Sequence, residues 1–234
     1  MENDNVFRHE LKYLINRREM DCCLSRLSEI AEADIHAKNG TYAVRSLYFD
    51  DQYRSAYNDK ESGVRSRAKY RIRVYDLDQG YITLEKKIKE GMYVRKESAY
   101  LSKNEYDMIM SDNTDFLLAR SERVANDFAI ECRVNGLHPE VIVDYDRIPF
   151  VYAYGNVRIT FDMNIRSSFD KLDVFAVGTP AYNVLGEDEL VMEVKYTEYL
   201  PDIIRVVLPD SGCRMAVSKY VLCDDVKLLF REDM

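Results

Sequence analysis

The chain has 234 residues, 47% hydrophobic and 32% charged, which is enough to bury a core without disulfide or metal staples. A formal charge of −8 and a pI near 5.1 argue against a general nucleic-acid binder, and no apolar run approaches the length of a membrane span. Five cysteines without a CxxC pair read as reduced thiols, and residues 1–5 are acidic and polar, so a cytoplasmic protein is expected.

In chain order, Phe7 to Ile15 reads as a strand, and Leu24, Leu27, Ile30 and Ala31 give Arg17 to Ala33 helical spacing. Val44 to Asp50 predicts a second strand ending in an acidic turn, followed by a polar or helical link from Asp51 to Lys60. Arg67 to Tyr75, Tyr81 to Lys87 and Tyr93 to Leu101 predict three more strands, joined through Asp78-Gln79-Gly80 and Glu90-Gly91 as hairpins. Ser102-x-x-Glu105 is a capping-box start for the first of two helices in the stretch to Ala129. Val141 to Val151 and Val157 to Asn164 form a strand pair around Gly155-Asn156, and Leu190 to Thr197 is the last strand. A helical Asp202 to Leu208 lies between Pro201 and Pro209, and Arg214 to Phe230 has helical spacing. No linker divides the chain, so one domain over residues 1–234 is expected.

The strands share an unusual pattern. Arg8-x-Glu10-x-Lys12, Lys69-x-Arg71-x-Arg73, Thr83-x-Glu85-x-Lys87, Arg158-x-Thr160-x-Asp162 and Glu193-x-Lys195 each place charged or polar residues on one face, with apolar residues between. Taken singly, each pair reads as cross-strand ion pairing on a solvated sheet. Five such strands together predict a closed antiparallel sheet whose polar interior holds an anion while its apolar faces pack under outer helices. The fold class is therefore α+β, an eight-stranded antiparallel β tunnel or barrel with peripheral helices. The three histidines, His9, His36 and His138, stand in unrelated contexts, which makes a histidine metal site or catalytic triad improbable.

Phe7-Arg8-His9-Glu10-Leu11-Lys12-Tyr13, Arg45 to Asp50, Lys69 to Tyr75, Leu84-Glu85-Lys86-Lys87, Val143 to Arg147, Val157 to Asp162, Met192 to Lys195 and Ser218-Lys219-Tyr220 occur in this order. Together they resemble the VTC polyphosphate polymerase domain, of the triphosphate tunnel metalloenzymes that also include the CYTH hydrolases. The resemblance implies ATP-dependent transfer of a terminal phosphoryl group to polyphosphate, with Mn2+ or Mg2+ as cofactor. It implies catalytic cations at Lys12, Arg71, Arg73, Lys87, Arg147, Arg158 and Lys219. Substrate binding would fall to Arg8, Lys69, Lys96, Tyr145, Lys195 and Ser218. Glu193 would hold the metal, helped by Glu10 or Glu85. On the fifth strand the phase decides whether Lys96 or Arg95 points inward.

Phosphoryl transfer asks the protein mainly to position and neutralise charge, so many fixed cations suffice. The hydrolytic branch resembles Glu-x-Glu-x-Lys on the first strand, where this chain has Arg8-x-Glu10-x-Lys12. Loss of one acid favours the polymerase over an inorganic or nucleoside triphosphatase; a non-catalytic polyphosphate or nucleotide sensor is the third reading. ATP and polyphosphate or phosphate are the expected ligands of a stand-alone module without a membrane segment, and a homo-oligomer is compatible with the sequence.

Overall fold

The computed structural model describes residues 6–209 and 214–232. Ten strands form one antiparallel sheet: β1 (Arg8–Asn16), β2 (Glu32–Ala33), β3 (Tyr42–Asp50), β4 (Ser66–Tyr75), β5 (Ile82–Glu90), β6 (Tyr93–Leu101), β7 (His138–Tyr152), β8 (Val157–Ser168), β9 (Tyr182–Asn183) and β10 (Glu189–Tyr196). The order is β2-β7-β3-β4-β5-β6-β1-β10-β8-β9, and β7 also pairs with β8. The eight long strands therefore close into a ring, with the short β2 and β9 added at its margins. Closure removes the free edges that an open sheet would expose.

The ring has one thin seam. Among the described residues, β1 meets β6 only at Arg8 with Val94 and His9 with Tyr93, whereas its other edge pairs with β10 from His9 to Asn16. Past the seam, β1 is covered by the segment before the last helix, through a bridge between Tyr13 and Arg214 and a bond from the Met215 amide to the Lys12 carbonyl at 2.9 Å.

The helices are α1 (Arg17–Leu27), α2 (Ser55–Glu61), α3 (Lys103–Met110), α4 (Arg123–Asn135), α5 (Asp202–Arg205) and α6 (Lys219–Glu232). Capping boxes start α1 at Asn16 with Glu19 and α3 at Ser102 with Glu105, the second being the one the sequence announces. Gly136 ends α4 in the left-handed conformation, at φ 66°. Outward residues such as Leu47, Ile72 and Leu84 are fully buried with Phe128 and Ala129 of α4. Each such burial is worth about 2 kcal/mol. A second core joins α1 to the outer faces of β1, β8 and β10 through Leu27, Ile159 and Met192.

A third core lies inside the ring. Tyr220, Val221 and Cys223 of α6 pack against Val44, Val143, Tyr145 and Val191. Part of the interior is thus closed by a helix, and the charged faces line only the remainder.

Several boundaries differ from the sequence expectation. α1 stops at Leu27 rather than Ala33, because the Ile30 and Ala31 amides fold back on the Leu27 carbonyl and Glu32–Ala33 pairs with Val151 and Phe150. Between Pro201 and Pro209 the α-helix covers only Asp202–Arg205. The tail is extended from Arg214 to Val217 and helical only from Lys219, since the β1 edge takes its first residues. Between β4 and β5 the left-handed residues are Asp76 and Leu77, ahead of the expected Asp78-Gln79-Gly80. Cys22, Cys23, Cys132 and Cys223 are free thiols; Cys213 lies outside the described residues.

Candidate functional site

Alternation along each strand carries the charged residues into the ring. A cavity of about 580 Å3 is lined by Glu10, Lys12, Lys69, Arg71, Arg73, Lys87, Tyr145, Arg147, Glu193, Lys195, Ser218 and Lys219. A smaller space of about 90 Å3 is lined by Arg8, Lys96 and Arg158, and shares Glu10, Arg71, Arg73, Lys87, Arg147 and Lys195 with the first. Seven of the ring's strands, with Ser218 and Lys219 at the start of α6, thus bring fifteen of the sixteen expected residues to these two adjoining spaces. The remaining one, Glu85, lines neither and sits behind the arginines at 1% exposure. Register settles the fifth expected strand: Lys96 stands opposite Lys87 and reaches Glu85 at 3.2 Å, while Arg95 pairs with Glu97 on the other face.

The arginines are held from behind. Arg71 donates to Glu85 at 2.6 Å and to the Tyr48 hydroxyl at 2.8 Å; Arg73 donates to Ser46 at 3.0 Å and to the Tyr145 hydroxyl at 3.1 Å. Arg147 makes two bonds to Asp162, at 2.6 and 2.8 Å, the fork geometry that fixes a guanidinium in one orientation. Lys219 reaches Asp162 at 2.6 Å and Glu193 at 2.8 Å. Arg158 donates to Asp34 at 2.8 Å and to the Tyr42 hydroxyl at 3.0 Å.

Cations outnumber acids. Among the described residues, Lys12, Arg71, Arg73, Lys87, Lys96, Arg147, Lys195 and Lys219 share four carboxylates, Glu10, Glu85, Asp162 and Glu193, and Lys69 joins them in the lining without an ion pair to any of the four. Burial pushes the Glu10 and Glu193 carboxyls up, but the surrounding lysines, Lys12 and Lys87 for Glu10 and Lys219 and Lys12 for Glu193, hold both well below the usual range. The surplus appears on the cation side. Burial, with Lys12 and Arg67 nearby, pulls Lys69 down to about 7, and burial pulls Lys87 down to about 8 although Glu10 opposes it. Among the described residues, Lys69 contacts the Ser218 hydroxyl at 3.3 Å and the face of the Tyr220 ring at 4.5 Å, with Asp50 the acid that acts on it from farther away. An anion entering the cavity supplies the missing negative charge.

The acids also fit a hard cation in part. Lys12 lies between Glu10 at 3.6 Å and Glu193 at 3.5 Å, so both carboxylates border one point. Thr160, opposite Glu193 in the β8–β10 register, has a buried hydroxyl with no hydrogen-bond partner among the described residues. No group of three or more acidic, histidine or cysteine side chains suited to a metal occurs among the described residues. Magnesium-like ions commonly use one or two carboxylates and take their other oxygens from phosphate and water. Glu10 and Glu193 match that donor set at the cavity, each already meeting a lysine, Lys87 and Lys219, at 2.8 Å, whereas Glu85 lies behind the arginines with its oxygens engaged by Arg71 and Lys96.

Sequence reasoning missed part of the site. Lys60, Arg67, Lys89 and Arg214 also line the larger cavity. Arg67 and Lys89 continue the period-two series of β4 and β5, so that signal was present. Asp50, read as a turn residue, is instead 1% exposed and accepts the Ala56 and Tyr57 amides and the Tyr220 hydroxyl. It ties the start of α2 to the helix that carries Lys219. Asp162, part of the alternating pattern on β8, binds Arg147 and Lys219.

The fold is similar to solved structures of low sequence identity. A Hippeastrum protein, described as a candidate adenylyl cyclase with a dominant triphosphatase activity, is 15% identical, with a TM-score of 0.52 over 94% of this chain and 95% of that one. A candidate adenylate cyclase from Vibrio parahaemolyticus is 13% identical, with a TM-score of 0.52 over 93% and 98%. A Pyrococcus horikoshii protein is 11% identical, with a TM-score of 0.52 over 92% and 98%. At these identities the likeness shows the fold alone. No curated protein matches the chain significantly. The VTC domain family matches residues 7–227, and with the closed eight-strand ring this places the chain in the VTC domain family, with the CYTH-like triphosphate tunnel fold.

Proposed function

We propose that the chain, as a single tunnel domain, is a divalent-metal-requiring polyphosphate polymerase that moves the terminal phosphoryl group of ATP to a polyphosphate chain. The surplus of fixed cations inside an enclosed ring carries this reading. A terminal oxygen of the polyphosphate forms a bond to the γ-phosphorus, the bond from that phosphorus to the bridging oxygen breaks, and ADP leaves with the electron pair. The polymer grows by one unit. The attacking oxygen is already anionic, so no general base is needed.

Arg71, Arg73 and Arg147 are oriented before substrate arrives by Glu85, Tyr48, Ser46, Tyr145 and Asp162, so gripping phosphate costs them little reorganisation. Lys12, Lys69, Lys87, Lys195 and Lys219 add point charges along the same space, and Arg8, Lys96 and Arg158 do so along the smaller one. Glu10 and Glu193, with the Thr160 hydroxyl, would hold Mn2+ or Mg2+. When bound, the ion neutralises charge on phosphate oxygens.

Triphosphate hydrolysis is the competing reaction, and it needs an activated water. Glu10 is a weak base for that task, because Lys12 and Lys87 stabilise its ionised form against burial. Incubation with ATP and Mn2+ or Mg2+ tests the proposal: polymer growth matched by ADP release supports it. Free phosphate without polymer identifies a triphosphatase, and binding without product identifies a sensor.

A further inference from the structure

The wide mouth of the larger cavity has two unlike sides. On one, α2, β4 and β5 present Lys60, Arg67, Lys69 and Lys89. On the other, β1, β10, the β5–β6 turn and the extended segment before α6 present Leu11, Tyr196, Met92 and Met215, with Arg214 the one cation of that segment among the described residues. A phosphate chain gains nothing from thioethers and aromatic rings. Met92 and Met215 are nevertheless 68% and 49% exposed at this rim.

The apolar side is built rather than loose. The turn carrying Met92 is fixed by Gly91, at φ 58°, whose amide donates to the Arg65 carbonyl at 2.9 Å. Met215 is pinned by its amide to Lys12. Tyr196 stacks on His9 with centroids 4.9 Å apart and planes 17° from parallel, and His9 is followed by Tyr93 at 4.9 Å. Thioethers and aromatic faces attract flat heteroaromatic rings. A cavity of about 580 Å3 also falls in the range that encloses a whole small-molecule ligand.

We infer that this rim is a nucleobase subsite: the base of a nucleoside triphosphate rests on Met92, Met215 and Tyr196 while its phosphates extend into the cationic interior. The inference rests on the proposed use of ATP and adds a place for the part of that substrate that carries no charge. It gives the site a preference for a nucleoside triphosphate over inorganic triphosphate that cations alone cannot provide.

Calorimetric titration with ATP and with inorganic tripolyphosphate, at one fixed Mg2+ concentration, tests it. Met92→Ser with Met215→Ser is expected to weaken ATP binding about tenfold and leave tripolyphosphate binding unchanged within about twofold, the size of a lost stacking contact. Both side chains are exposed, so an unchanged melting temperature is expected; Met92→Ser alone gives the same comparison should the pair fail to fold. A loss for ATP no greater than that for tripolyphosphate overturns the subsite and leaves the tunnel proposal standing. If the unaltered protein binds neither ligand, both proposals fall.

Discussion

Glu193 and Lys219 meet at 2.8 Å, although one lies on β10 and the other opens α6. This pair and the contact of Lys219 with Asp162 fasten the helix that closes part of the ring. Both carboxyls are pushed up by burial and pulled further down by cations, Lys219 foremost for Glu193 and Arg147 then Lys219 for Asp162. Their contribution to stability is therefore present above the unfolded carboxylate range, near 4, and is lost as pH falls through the lower folded values.

Lys219→Ala leaves two buried acids short of a cation. Urea denaturation at pH 7 is expected to show a loss of about 3 kcal/mol, the cost of breaking a buried ion pair from one side. The difference from the unaltered protein should shrink toward pH 4, where protonation relieves the stranded acids. A loss that does not change with pH would contradict this account.

Arg73 is expected to dominate oligophosphate binding, being 7% exposed and aimed by Ser46 and Tyr145. Arg73→Ala should weaken tripolyphosphate binding by about 2 kcal/mol, or about thirtyfold, by calorimetry. Arg73→Lys should recover only part of this, since an ammonium cannot reproduce the fork.

Lys69 predicts a pH signature. Its pKa near 7 in the free protein must rise when an anion arrives, so binding takes up protons at pH 8 to 9 and affinity falls as pH rises through that window. Lys87, near 8, adds to the uptake. Calorimetry in two buffers of different ionisation enthalpy measures it at pH 8.5, and Lys69→Met should reduce the uptake. No proton uptake at that pH would refute the assignment.

Metal binding should depend on phosphate. Two lysine-paired carboxylates and a hydroxyl make a poor site alone, so Mn2+ is expected to bind weakly until tripolyphosphate is added. Electron paramagnetic resonance of free Mn2+ reads this directly. Glu193→Gln should lose the phosphate-dependent component while still binding tripolyphosphate.

Much of the site was legible because a strand's period of two is strict. Lys12, Arg71, Arg73, Lys87 and Glu193 all point where alternation puts them, and Lys96 could be separated from Arg95 once the register with Lys87 was known. What alternation cannot show is who stands behind each cation. Asp34 for Arg158 and Ser46 for Arg73 come from distant segments whose approach depends on ring closure. Helical spacing misled at Ile30 and Ala31, which pack with the outer core from a turn rather than from a helix. The same limit hid Asp50, where a turn-like Asp-Asp pair carries a buried acceptor for Tyr220.

The central claim, that basic side chains from separate strands converge on condensed phosphate, is tested most directly by a crystal structure with a non-hydrolysable ATP analogue and Mn2+. The account predicts the β- and γ-phosphates inside the ring, within hydrogen-bond distance of Arg71, Arg73 and Lys219. An analogue bound on the outer surface, with the ring interior left to water, would contradict it.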